Sequence, residues 1–84
     1  MFYVYIIKNE QNDIYYGYTN NLRRKIKEHN DSKSFSTKGH RWNIIYYEAY
    51  LSKSDAEDRE KQIKHYGQAL VHLKRRIKNS LSKN

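Results

Sequence analysis

The sequence predicts an α/β chain of the α+β kind: a small three-stranded antiparallel sheet flanked by helices, in the order β-β-α-β-α-α. Three observations carry this. Two β-branched and aromatic runs, residues 2–8 and 14–18, are separated by the polar segment Asn9-Glu10-Gln11-Asn12-Asp13; a third such run covers residues 42–50; and the remaining stretches place apolar residues at helical spacing. With 84 residues there is room for one small domain, read as residues 1–80, with 81–84 as a frayed C-terminal tail.

The first two runs form a hairpin with a loop of about five residues. If Lys8 pairs with Ile14, then Tyr5 faces Gly17 and Ile7 faces Tyr15, which puts Tyr5 and Tyr15 on one sheet face. Gly17 is read as a tight exit from the second strand. Asn20 or Thr19 caps the first helix, which runs to about His29. At 100° per residue, Leu22, Lys25, Ile26 and His29 fall at about 0°, 300°, 40° and 340°, so a cation and an imidazole border one apolar stripe.

A polar loop from Asp31 to Arg41 follows, in which Thr37, Lys38, His40 and Arg41 can all donate to phosphate. The third strand is apolar on both faces from Ile44 to Tyr47, which predicts helices covering it. Ser54-Asp55-Ala56-Glu57 reads as a capping box that starts the second helix, and Gly67 closes that helix. On it Ala56, Glu60 and Ile63 share a face, so a carboxylate sits in the apolar stripe. Burying it bare costs several kcal/mol; it is either ion-paired with Arg59 or Lys64 or bound to a metal. A third helix, from Gln68 to about Ser80, packs Ala69, Leu70, Leu73 and Ile77 and leaves a basic side.

Composition narrows the partners. Seventeen Lys and Arg against nine Asp and Glu give a formal charge of +8, and no acidic residue follows Glu60. A small domain so basic points to nucleic acid, with Lys64, Lys74 and Arg75 as phosphate contacts and Arg23, Arg24, Lys38, His40, Arg41 and Arg59 completing the surface. Each of these residues, taken singly, is equally the solvated face of a helix or loop. The absence of Cys removes disulfides and thiolate-bound zinc, and the four histidines lack zinc-ligand spacing. No apolar run approaches membrane-spanning length, and the start carries no basic n-region, so a soluble cytoplasmic protein without membrane association is expected. So short a domain leaves room for a homodimer mate or an accessory protein.

Tyr3-Val4-Tyr5, Tyr15-Tyr16-Gly17, Thr19-Asn20-Asn21-Leu22, His29-Asn30, Tyr46-Tyr47-Glu48 and Arg59-Glu60-Lys61-Gln62-Ile63-Lys64, in this order, resemble the GIY-YIG nuclease domain. More narrowly they resemble its small stand-alone members related to the N-terminal nuclease domain of the excision-repair protein UvrC. The resemblance implies an α/β fold and hydrolysis of phosphodiester bonds, in DNA more than in RNA, with one Mg²⁺ or Mn²⁺ ion. Carried over by position, it implies Tyr5, Tyr15 and His29 as catalytic groups, with Tyr15 as the base, and Glu60 as the metal ligand. The family's catalytic arginine falls on Lys25. A point charge replaces a planar fork there, and the alternative that follows is a catalytically impaired nucleic-acid-binding module of the same fold.

Overall fold

The computed structural model describes residues 1–31 and 38–82. Three strands, β1 (Phe2–Asn9), β2 (Ile14–Thr19) and β3 (Trp42–Tyr50), form an antiparallel sheet in the order β2-β1-β3. The hairpin register is the expected one, with Tyr5 opposite Gly17 and Ile7 opposite Tyr15. Its turn is held by Asn9, whose Oδ1 accepts from the backbone N–H groups of Gln11 and Asp13, each at 2.9 Å. Asn12 takes the left-handed conformation that Asn tolerates better than most residues. The central strand β1 is buried from Val4 to Asn9 because both of its faces are covered.

One face carries Val4 and Ile6. Against it pack α2 (Lys53–His65), α3 (Gly67–Arg76) and α4 (Lys78–Ser82) through Ala56, Ile63, Leu73 and Ile77, with Leu70 and Leu81 at the margin. The other face carries Tyr5 and Ile7, which pack with Trp42, Tyr15 and the Leu22 and Ile26 side chains of α1 (Leu22–Asn30). A register shift between Ile6 and Ile7 inserts Ile45 as an extra residue of β3. The bulge turns both Ile45 and Tyr46 toward α2–α4. Ile44 and Tyr47 stay on the α1 side and remain 40% and 55% exposed. The expected coverage of β3 by helices therefore holds on one face only.

Several helix ends differ from the sequence reading. The cap of α1 is Asn21, whose Oδ1 accepts from the Arg24 N–H at 3.1 Å, while Thr19 Oγ1 accepts from the Asn21 N–H. Ser52, not Ser54, precedes α2, so Ser54 lies inside the first turn and the capping box is not formed. Gly67 opens α3 instead of closing α2, since the extended Tyr66 breaks the chain between them. Turned there, the chain brings both Ile63 and Leu73 onto the sheet. The single third helix is two, divided at the buried Ile77. Leu81 and Ser82 of the expected tail belong to α4, and the Leu81 carbonyl accepts from the buried Lys8 ammonium at 2.6 Å. Thr37, Lys83 and Asn84 lie outside the described residues.

Candidate functional site

Strand alternation and the α1 stripe bring Tyr5, Tyr15 and His29 together. The Tyr5 hydroxyl lies 2.8 Å from His29 Nε2, and the His29 ring sits 5.2 Å, edge-on, from that of Tyr15. Tyr5 and His29 are both buried, at 1% and 0% exposure. Burial, then the charges of Tyr15, Glu60 and Glu28, push the Tyr5 hydroxyl well above the usual phenol range. Burial, and secondarily the nearby Lys25, push the His29 imidazole below its ordinary value, with Glu28 acting the other way. The two groups share one buried hydrogen bond, whose donor is set by the tautomer of the imidazole.

Gly17 belongs to the same cluster. A Cβ built on it would lie 2.6 Å from the Tyr5 hydroxyl oxygen and 2.9 Å from Cζ. Its backbone needs no special conformation, since the one glycine with positive φ is Gly39. It is therefore a seat for the Tyr5 phenol inside β2, not a tight exit from the strand.

The two charged members of the expected site are engaged locally. Lys25 Nζ lies 3.5 Å from Glu28, and Glu60 lies 3.4 Å from Lys64, the partner that the ion-paired reading of Glu60 named. Arg59 is turned the other way. Its Nε and Nη2 donate to Glu48 at 3.0 to 3.2 Å, and the Tyr46 and Tyr50 hydroxyls donate to the same carboxylate. Burial works against the Glu48 charge, but Arg59 and then the two phenols outweigh it and hold the carboxyl below its usual range. The Tyr50 phenol is pushed up to about 12, by burial first and then by Glu48. Arg59 thus ties α2 to β3. The sequence signal was available: Glu48 is the one charged residue of β3.

Among the other basic candidates, Arg23, Lys38, Lys74 and Arg75 are exposed. Arg24 donates to Asn20 Oδ1 at 3.0 Å and lies 3.6 Å from Glu28. His40 Nδ1 donates to Glu10 at 2.6 Å, and the same carboxylate accepts from the Arg41 backbone N–H at 2.8 Å. Sequence reasoning missed this clasp between the hairpin turn and the start of β3. It also missed Asn30, whose side chain bonds both the N–H and the C=O of Trp42, at 2.6 and 3.0 Å, and so fastens the end of α1 to β3.

The carboxylate expected to hold the one Mg²⁺ or Mn²⁺ ion is Glu60, and both Glu60 and Glu28 lie close enough to act on the Tyr5 hydroxyl. Among the described residues no three His, Cys, Asp or Glu side chains converge as a metal-holding group. An ion held by one carboxylate would take its remaining ligands from waters and a phosphate.

Comparison with known proteins decides the family. The model of the GIY-YIG catalytic domain matches residues 1–71. The chain belongs to the GIY-YIG family. The relatives it matches include small UPF0213 proteins. One, from Staphylococcus haemolyticus, is 44% identical over 64 residues, covering 74% of this chain and 78% of the relative. Another, from Clostridium perfringens, is 39% identical over 66 residues, covering 76% and 71%. The YazA protein of Bacillus subtilis is 32% identical over 77 residues, covering 89% and 74%. No solved structure matches the chain.

These findings correct the expectation of a metal-dependent DNA endonuclease, and with it the description of the chain as a magnesium hydrolase. This GIY-YIG chain groups with UPF0213 proteins, whose names carry no nuclease, and its described residues hold no metal-binding cluster. The findings favour the alternative, a binding module on the same fold.

Proposed function

We propose that this GIY-YIG chain binds nucleic acid without cutting it, DNA in preference to RNA. One observation carries the reading. From residue 61 onward the chain has no acidic residue, and Lys61, Lys64, Lys74, Arg75, Arg76 and Lys78 are all exposed along α2–α4. Ala56, Ile63, Leu73 and Ile77 are turned to the sheet, which puts these cations on the outer side of the helices, where a polyanion can reach them. A divalent ion enters this reading only as a bridge from Glu60 to a bound phosphate, in competition with Lys64, and binding proceeds without it. The same reading keeps the protein in the cytoplasm beside its partner. The structural observation behind that is narrower: among the described residues no helix is long and apolar enough to cross a membrane.

The test is a salt titration of binding to labelled DNA by fluorescence anisotropy. Replacing both Lys74 and Arg75 by Ala weakens binding to every sequence alike and flattens the dependence of log affinity on log salt by about 0.7 to 0.9 per lost phosphate contact. Binding no stronger than that of an equally basic unrelated protein, or unchanged in the double variant, overturns the reading.

A further inference from the structure

The bulge in β3 leaves a groove on the opposite face of the sheet from α2–α4. It has a volume of about 550 Å³ and runs between α1 and β3. Its floor is apolar, made by Leu22, Ile26, Ile44 and Tyr47, and its rim is cationic, made by Arg23 and Lys27. No acidic residue lines it. The Tyr47 ring is the exposed aromatic surface of the groove, steadied by an edge contact to Tyr3 at 6.0 Å between ring centres. Lys27 is held by Asp31 at 2.7 Å, which leaves the Arg23 guanidinium as the more available cation at the mouth.

An apolar and aromatic floor beneath a cationic rim is complementary to an unstacked base attached to its phosphate. A peptide without acidic side chains would find the floor but leave the rim cations facing it; a duplex keeps its bases stacked and paired, out of reach of a floor this size. We infer that the α1–β3 groove takes an unpaired base of a single strand, with Tyr47 as the stacking platform and Arg23 on the adjacent phosphate. The Asn30 amide at the edge of the lining bonds the Trp42 backbone through one N–H and one Oδ1 lone pair. Stacking on Tyr47 is tolerant of sequence, because every base has a π-face. This inference rests on the nucleic-acid-binding reading and sharpens it to single strands or to duplexes with unpaired ends or bulges.

The experiment compares anisotropy titrations of one labelled 12-mer, single-stranded and as its perfect duplex, for the wild type, Tyr47→Ala, Tyr47→Phe and Lys74→Ala/Arg75→Ala. The wild type binds the single strand more tightly than the duplex. Tyr47→Ala loses about tenfold on the single strand and nothing on the duplex, Tyr47→Phe keeps the preference because the ring remains, and Lys74→Ala/Arg75→Ala weakens both forms alike. Tyr47 is exposed, so its truncation leaves the core intact, which a thermal melt verifies. Equal affinity for the two forms, or a preference untouched by Tyr47→Ala, overturns the groove while leaving binding itself standing. No binding of either form refutes the parent reading. Sedimentation of the same samples provides the remaining control: a dimer that dissociates in Tyr47→Ala assigns the groove to a second copy of the chain and overturns the inference.

Discussion

Replacing Gly17 by alanine would drive a methyl group into the buried Tyr5 phenol. The new Cβ would stand 2.6 Å from the hydroxyl oxygen, 2.9 Å from Cζ and 3.3 Å from Cε1, where comfortable contacts begin at about 3.5 Å. The ring end must move by roughly 1 Å, and the 2.8 Å hydrogen bond to His29 breaks. Overpacking a core of this kind costs about 1–3 kcal/mol. The lost hydrogen bond adds about 1 kcal/mol. The gain from replacing a strand glycine, about 0.5–1 kcal/mol, works the other way. The net is a destabilisation of about 2 kcal/mol, which lowers the melting temperature of a chain this size by about 10 °C. Tyr5→Phe supplies the decisive comparison. Alone it destabilises, because it strands His29 Nε2; in the Gly17→Ala background it also removes the atom that clashes most, so its cost shrinks by about 1 kcal/mol or changes sign. Urea titrations of the four proteins complete the cycle. A Gly17→Ala protein as stable as wild type, or a cycle that closes additively, would refute the claim that Gly17 exists to seat Tyr5.

The buried His29 gives stability a pH dependence. Its folded pKa lies below the unfolded value, so the unfolded chain binds the extra proton; stability is full above about pH 6.5 and falls with further acidification, by no more than about 1.4 kcal/mol per pH unit for this one group. Chemical denaturation between pH 5 and 8 should show that slope in the wild type and lose it in His29→Phe. Arg59→Ala, which strips Glu48 of its partner between two phenols, should cost about 2–3 kcal/mol in a denaturant melt yet leave the salt dependence of DNA binding unchanged in the folded fraction. Wild type and Lys25→Arg should both leave supercoiled DNA uncut with Mg²⁺ or Mn²⁺, and EDTA should not weaken binding. Metal-dependent nicking that vanishes in Glu60→Ala would reverse the correction made above.

Strand positions and the hairpin register were legible because period-two alternation ties each residue to a face, and one wrong step would have turned Tyr5 out of the core. The third strand was legible in extent but not in coverage. Ile44 to Tyr47 is apolar throughout, and only the bulge at Ile45, which alternation does not announce, decides that Ile44 and Tyr47 are left uncovered. Helix ends were less legible for a related reason. Ser52 and Ser54 compete for the same role, as do Thr19, Asn20 and Asn21, and tertiary packing chooses between them. At the site, periodicity puts Tyr5 and Tyr15 on one sheet face and His29 on the apolar stripe of α1, and the family resemblance is what joined the three. The partners of the charged groups do not follow from periodicity, because Glu48 and Arg59 meet only when β3 lies beneath α2.

A family pattern can also be held in place by packing alone. Tyr5, Gly17 and His29 form a closed unit in this chain: a phenol laid over a glycine, bonded to a fully buried imidazole, with each proton held where burial prefers it. Removing any one of them leaves a cavity, a clash or an unsatisfied buried nitrogen, each with a cost to a core that 84 residues can make only modestly large. Stability alone is thus sufficient reason for these residues to stand where they do. Lys25 and Glu60 have no such hold. Both are partly exposed and each is served by a neighbour on its own helix, Glu28 and Lys64. The positions that packing does not constrain are the ones where charge is free to change. A lysine at the arginine position, on a helix whose Arg23, Arg24 and Lys27 are exposed, keeps the positive surface whatever becomes of the chemistry.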